Sequence, residues 1–412
     1  MAHLARALDR ETGRRVALKT SRRGAPKLEA RLEREAELLA QLRHPGIVAH
    51  VAHGRTGSGR LFLAMEWLEG EDLATRLARG RLPPGEALVI ARQAAEALAH
   101  VHAAGVIHRD VKPANLFLPG RRVDAVKLLD FGVATTTGGG EAPGFVGTPG
   151  YLAPEQARNE PEIDAAADVF ALGVVLYECL TGMPAYAGSN VMALVAKAAL
   201  SEPPRLEVER PDLPGVAAVL ARMLAPVPTA RFRDGDEAAR ALRALESGEV
   251  RPSLRPPSPP PRLGTDERAI TSVIVVGSGL AELGSTLATR QLEVPPAVWP
   301  AVEAADARVQ ELVDGSLLVT VRSAEAAARL ALDLRGELPG EDIAVVTGMA
   351  PVGDRGAAGP LIDRATGLLE GAPLEGVRID ALTAELVRSR VRVREGDHGL
   401  ELVEGAATDG GP

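Results

Sequence analysis

The sequence predicts an α+β protein: a two-lobed region, small and strand-rich at first and then large and helical, followed by a second, smaller α/β domain. Three features carry this expectation. The opening stretch alternates short apolar runs of strand type with one amphipathic helix, helical periodicity dominates from Pro84 onward, and a proline-rich break precedes a segment in which strands and helices alternate. At 412 residues the chain exceeds one ordinary core, and 46% apolar with 25% charged residues places it among soluble globular proteins.

Taken in order, strands are expected over 15–20, 47–53 and 61–67 around one helix over 27–42. A small strand-rich lobe leading into a helical one is what a nucleotide enzyme with an interlobe cleft produces. The longest apolar run, 169–180, is shorter than a bilayer span and reads as a buried helix. It contains Cys179, the single cysteine, so no intramolecular disulfide can form and a buried structural thiol is expected. The N-terminus lacks the basic, apolar, small-residue succession of a signal peptide, which leads to a cytoplasmic expectation. A net charge of −8 gives no basic footprint for nucleic acid, and no membrane partner is expected.

The clearest boundary is SGEVRPSLRPPSPPPRLGTDER at 247–268, an extended proline-rich spacer. The expected division is therefore 1–246, with lobes 1–68 and 69–246, then a linker 247–267, a second domain 268–405 and a tail 406–412. Within the second domain the pattern gives a strand 270–276, a helical stretch to 312, a strand 317–321, a helix 323–334, a strand 343–347, a helix near 361–369 and strands toward 403.

The chemistry-bearing residues fall in register. HRDVKPAN at 108–115 is followed by LLDFG at 128–132 and GTPGYLAPE at 147–155, with VALK at 16–19 upstream. A lone HRD is any charged turn, but several such motifs in order are not coincidence. Phosphoryl transfer depends on positioning and on neutralising phosphate charge. In that chemistry Asp110 is the general base for a substrate hydroxyl, and Asn115 and Asp130 are hard oxygen donors for magnesium. Of the five lysines, Lys112, two residues after Asp110, can reach the transferring group, and Lys19 ends VALK, which is similar to the protein-kinase strand whose lysine holds the α and β phosphates. In the helix over 27–42 the apolar stripe is Leu28, Leu32, Ala36 and Leu39, and Glu35 lies on the same side. A buried carboxylate demands a cation, and Lys19 is the candidate.

On these motifs residues 1–246 resemble the bacterial eukaryotic-like serine/threonine protein kinases, and a protein kinase fold is what the resemblance implies. It further implies ATP and magnesium, or manganese in its place, and protein substrates carrying serine or threonine. Lysine at 112 marks serine/threonine rather than tyrosine specificity. Met65, Glu66, Trp67 and Leu68 correspond to the hinge whose backbone bonds adenine, with Leu4 and Ala17 also in the nucleotide set. Glu155 and Arg231 resemble the buried pair that anchors the activation segment, Asp168 the residue that braces the catalytic loop, and Thr148 the threonine that bonds the catalytic aspartate and lysine.

One family part does not match. The glycine-rich loop over the phosphates would lie at the very start, where Leu4 takes the place of the valine over adenine and Ala2 that of the third glycine. The expectation is a start further upstream, the alternative a lost phosphate lid and a binding-only pseudokinase. Between Thr137 and Thr148 there is no serine or threonine, so Glu141 is expected to serve Arg109 as a fixed anion.

Residues 268–405 resemble, more faintly, the class III nucleotide cyclase homology domain, through ITSVIVVGSGLAELGST at 270–286, VDGSLLVTVRSAEAAARLALDL at 313–334, and EDIAVVTGMAPVG with LIDRATGLL at 341–369. The resemblance implies a ferredoxin-like sheet. Asp314 stands at one metal-binding aspartate, but Val275, Val276 and Gly277 occupy the place of the other, and Asp363 and Gly367 those of the Asn/Arg pair. A catalytically dead regulatory domain is expected, serving dimerisation, through a homodimer, or ligand sensing. A cyclase regulated by the kinase part is the third reading, and the missing residues argue against it.

Overall fold

The structure is a computed structural model describing residues 3–21, 26–136, 147–188, 190–247, 268–277, 294–351, 359–370, 376–396 and 399–406. The linker expected over 247–267 lies outside them from residue 248 on.

The first lobe is a four-stranded antiparallel sheet of β1 (His3–Leu8), β2 (Arg15–Thr20), β3 (His50–Arg55) and β4 (Leu61–Glu66), in the order β1-β2-β4-β3. Strand β1 was not among the expected strands. Its apolar residues Leu4 and Leu8 are both about two-thirds exposed, at 63% and 62%, so it carries no buried face for alternation to reveal. Strand β3 starts three residues later than expected because Ile47 leaves the sheet to bridge Leu128, and Val48 N–H donates to the Leu128 carbonyl at 3.1 Å, which ties the lobes together. Helix α1 (Pro26–Gln41) buries Leu32, Ala36 and Leu39, with Glu35 beside them at only 3% exposure.

The second lobe is helical: α2 (Pro84–Ala103), a short α3 (Pro154–Ala157), α4 (Ala166–Thr181), α5 (Val191–Leu200), α6 (Pro214–Met223) and α7 (Gly235–Glu246). Helix α4 is the apolar run foreseen, buried along nearly its whole length and ended by Gly182 at φ 76°, a left-handed cap that glycine adopts without a Cβ penalty. Cys179 is buried in it, and burial pushes its thiol pKa up, so the thiolate needed for reactivity is suppressed. No helix among the described residues is long and apolar enough to cross a membrane.

Residues 268–406 build one seven-stranded sheet. Its strands are β5 (Arg268–Gly277), β6 (Arg308–Glu311), β7 (Leu317–Val321), β8 (Asp342–Pro351), β9 (Val377–Ile379), β10 (Val391–Gly396) and β11 (Gly399–Ala406), ordered β6-β7-β5-β8-β9-β11-β10. Only β8 and β9 run parallel. The helices are α8 (Trp299–Ala304), α9 (Ala324–Glu337), α10 (Gly359–Leu368) and α11 (Ala381–Val387), with Ser323 and Asp380 capping α9 and α11. The expected helical stretch to 312 is corrected: within it 278–293 lies outside the described residues, α8 stops at Ala304, and 308–311 is an edge strand paired with β7. An edge strand with Arg308 and Glu311 exposed has the polar texture of a helix surface, which misled the periodicity. The two inner strands are apolar on both faces. Ile274, Val276, Ile343 and Val345 pack with α9 and α11, whereas Val273, Val275, Ala344 and Val346 pack with α10 and with α5 of the helical lobe.

The Glu155–Arg231 pair is fully buried: Glu155 receives Arg231 Nη1 and Nη2 at 2.6 and 2.7 Å, with the side chains 1% and 0% exposed. Removing one partner leaves an uncompensated buried charge. Glu155→Ala is expected to cost about 3–5 kcal/mol, read as a lower urea midpoint.

Candidate active site

The site forms where the sheet lobe meets the helical one. Lys19 on β2 donates from Nζ to both Glu35 oxygens at 2.8 Å and to Asp130 Oδ1 at 3.1 Å. Burial alone pulls the Lys19 ammonium pKa down, but Glu35 and Asp130 outweigh it and hold the charge on. Burial pushes Glu35 up to about 6, only partly offset by Lys19, with Asp130 adding to the rise. Asp130 moves the other way, to about 2, because attraction by Lys19 and the hydrogen bond from Gly132 N–H overcome its burial. The carboxylate that the sequence placed on the inner face of α1 is thus paired as expected.

Asp110 is held from three sides. Its Oδ2 accepts from Lys112 Nζ at 2.7 Å and Asn115 Nδ2 at 3.0 Å, and its Oδ1 accepts from Thr148 Oγ1 at 2.7 Å. Lys112 Nζ also donates to Thr148 Oγ1 at 2.7 Å, which closes a triangle. Such a carboxylate, fixed in orientation beside a cation, can take a proton from a hydroxyl placed against it.

The loop that presents Asp110 is strained. Arg109 sits at φ 64° and Asp130 at φ 57°, conformations that cost non-glycine residues about 1–3 kcal/mol each and persist only where the surroundings over-determine them. For Arg109 the determinant is Asp168, in the first turn of α4 and 0% exposed, which accepts from the N–H groups of His108 and Arg109, both at 2.8 Å. His102 completes it. Its Nδ1 accepts from Gly235 N–H at 3.0 Å, so the proton is on Nε2, which donates to Asp168 at 2.9 Å. Burial raises the Asp168 pKa, but these donors bring it below the ordinary carboxylate value. His102 was not singled out in the sequence, because a histidine on an apolar helix gives no signal of its partner. Gly147, at φ 110°, lets the segment touch this loop: a Cβ there would lie 2.9 Å from the Arg109 carbonyl and 2.7 Å from Leu152 Cδ2.

The other expected residues are distributed as follows. Leu4 faces Lys19 and Arg6 faces Ala17 across β1 and β2, so Leu4, Ala17 and Lys19 share one face of the sheet. Glu66 has its carboxylate on Lys127 Nζ at 2.6 Å and Ala49 N–H at 2.7 Å, and its own N–H on the Ala49 carbonyl, while Leu68 packs on the core. Asn115 spends its amide nitrogen on Asp110, which leaves its carbonyl oxygen as a hard donor. With the ionised Asp130 it fits a magnesium ion that takes few protein ligands and shares the rest with phosphates; among the described residues no cluster of three or more His, Cys, Asp or Glu offers an all-protein cage. Arg109 Nε is buried without a hydrogen-bond partner, but Glu141 and Thr137 lie outside the described residues. Thr135 is buried in a two-residue strand paired with Val106 and Ile107.

In the second domain Asp314 is turned into its own hairpin, accepting from Ser316 N–H at 3.1 Å and Ser316 Oγ at 2.5 Å, and burial pushes its pKa up. Asp363 is committed to Lys197 Nζ at 2.6 Å.

A protein kinase domain family model matches residues 1–233. Serine/threonine-protein kinase pkn3 of Myxococcus xanthus is 36% identical over 240 residues, 55% of this chain and 44% of that protein. Serine/threonine-protein kinase PknA of Mycobacterium tuberculosis is 36% identical over 303 residues, 71% of this chain and 68% of that protein. PknH from the same species is 36% identical over 259 residues, 58% of this chain and 41% of that protein. The chain thus spans less than half the length of pkn3 and PknH.

The Glu35 environment is testable directly. Its pKa is raised from 4.5 to about 6, so the folded chain binds its proton more tightly than the unfolded one; this contribution favours folding at acid pH and is lost as pH rises from 4.5 through 6. Followed by carboxyl-carbon NMR, Glu35 is expected to titrate near 6 and, in Lys19→Met, about one unit or more higher, since only the attraction is removed.

Proposed function

Because this chain belongs to the protein kinase domain family, we propose that it is a serine/threonine protein kinase that transfers the γ-phosphoryl group of ATP to protein hydroxyls. A protein kinase domain works in general with ATP and a divalent metal. The observation that carries the reading is the convergence of Lys112, Asn115 and Thr148 on Asp110 while the Lys19–Glu35 pair is closed. A binding-only scaffold has no need of that arrangement.

The proposed roles follow from the contacts. Asp110 orients the substrate hydroxyl and takes its proton as the bond to phosphorus forms. Thr148 keeps Asp110 in one rotamer, and Lys112, on the same carboxylate, faces the charge of the group in flight. Lys19, fixed by Glu35, positions the α and β phosphates, with Leu4 and Ala17 on the same sheet face toward adenine and the Glu66–Leu68 backbone along its edge. Asn115 and Asp130 would hold magnesium, which supplies neutralisation of phosphate charge. Lysine at 112 supports serine and threonine as acceptors.

We further propose the division into a kinase domain over 1–246, a linker over 247–267 and a degenerate cyclase-homology domain over 268–405. The family resemblance of the last rests on its sequence motifs. The confinement of Asp314 to its own turn supports the loss of cyclase chemistry, because two-metal catalysis needs a pair of free carboxylates.

Two outcomes are expected. Asp110→Asn lowers phosphate transfer from radiolabelled ATP by about 10²–10⁴-fold while nucleotide affinity stays within about twofold; undiminished autophosphorylation would overturn the assignment. The purified chain with manganese and ATP or GTP produces no cyclic nucleotide; formation abolished by Asp314→Ala would restore the cyclase reading.

A further inference from the structure

Helix α5, VMALVAKAAL, carries one charged residue in ten positions, and a helix apolar all round has to be covered on every side. The helical lobe alone does not do this. Met192, Ala193, Val195, Ala196 and Ala198 belong to a core that includes Val273, Val275, Ala344 and Val346 of the C-terminal sheet and Leu361 and Ala365 of α10. That sheet has the complementary need, because β5 and β8 are apolar on both faces and α9 and α11 cover only one. Each part leaves bare what the other covers, so the occupant of this face is the same chain's second domain rather than a second copy.

Polar contacts fix the register of this interface. Lys197 Nζ meets Asp363 Oδ2 at 2.6 Å, Asn190 Nδ2 donates to Glu370 Oε1 at 3.0 Å, and Val313 N–H donates to the Ala157 carbonyl at 2.9 Å. The last contact is the informative one. Ala157 ends α3, two residues after the Glu155 anchored by Arg231, and Leu152 is part of the same shared core. Leu152 in turn lies against Gly147, next to the Thr148 that holds Asp110, and Gly147 lies against the Arg109 carbonyl. The hairpin turn 312–316 therefore holds the segment at Leu152 and Ala157, four and nine residues past Thr148, and in this docked state Thr148 is on Asp110 and Lys19 on Glu35.

We propose that the C-terminal domain is a buttress acting in cis: by covering α5 and gripping Leu152 and Ala157 it holds Thr148 on Asp110 and thereby sets the rate of phosphoryl transfer. Whatever loosens the domain is read out as turnover. This deepens the kinase reading and rests on it.

The test uses the full chain. Met192→Glu with Lys197→Glu places carboxylates against the apolar sheet and against Asp363. Amide hydrogen exchange over 191–200 and 147–157 is expected to accelerate, and kcat on a serine peptide library to fall at least about fivefold, the low end of coupling between sites, with KM for ATP unchanged. Asp363→Lys, on α10 and remote from the kinase core, is expected to lower kcat alone and to restore it when combined with Lys197→Glu. Faster exchange with kcat unchanged removes the coupling, and with kcat raised it makes the domain an occluding lid. Exchange as slow as in the parent chain shows that the domain does not cover α5. Each of these three results overturns the proposal. A parent chain that transfers no phosphate instead fails the kinase reading, while the exchange measurement still reports on the interface.

Discussion

The whole of the proposed catalytic site hangs on a carboxylate to which that proposal gives no chemistry. Asp168 is fully buried, and an ionised carboxylate without partners there would cost several kcal/mol. It has three donors: the His108 and Arg109 backbone N–H groups and the Nε2 of His102. The exchange works in both directions. The donors make the burial of Asp168 tolerable, and Asp168 makes the left-handed Arg109 tolerable, which turns the chain so that Asp110 projects into the cleft. His102, on α2, extends the constraint to α7 through Gly235, so the loop is referenced to three helices of the core, α2, α4 and α7, rather than to other loops. His108 adds a further tie, with its ring Nε2 donating to the Leu129 carbonyl and its edge meeting Phe131 at 4.9 Å between centroids, which links the loop to the Asp130 strand end.

On the other side of the cleft the organising principle is charge rather than strain. Lys19 has two carboxylates, and the environment drives them apart, Glu35 up to about 6 and Asp130 down to about 2. Asp130 is the partner that stays ionised, as the proposed metal role requires, and Glu35 is the one that fixes the lysine. Because Glu35 sits on α1 and Asp130 beyond the helical lobe's catalytic loop, the Lys19 pairings also report on how the lobes are set, so any shift of α1 is felt first at the ammonium.

Legibility in the sequence followed the scale of the interaction. Motifs whose residues lie close together in the chain, such as His108 to Asn115, were readable because their spacing is itself the geometry. Glu35 was readable because helical periodicity alone puts it on the buried face. His102 was not, since its partners, Asp168 and Gly235, are distant and its own surroundings resemble any apolar helix. Strand β1 escaped because it has no buried face, and the edge strand 308–311 because pairing on one side leaves it as polar as a helix surface. Lys197 and Asp363 were each visible, as a rare lysine and as a departure from a motif, but nothing local joins residues so far apart.

The shared core shows why a composition break is an incomplete guide to independence. The proline-rich spacer argues for two units, and each does have a core of its own. Yet the third core takes residues from both, and its apolar content is too great on either side to face water singly. A linker sets only the tether; what decides whether two units move apart is the surface each exposes on separation. Here that surface includes a whole helix, α5, and one face of the inner strands, and one of the polar contacts at its rim, from Val313 N–H to the Ala157 carbonyl, is made beside the Glu155–Arg231 pair. The site's rigidity and the second domain's attachment are therefore one property of the fold, paid for by the same buried surface.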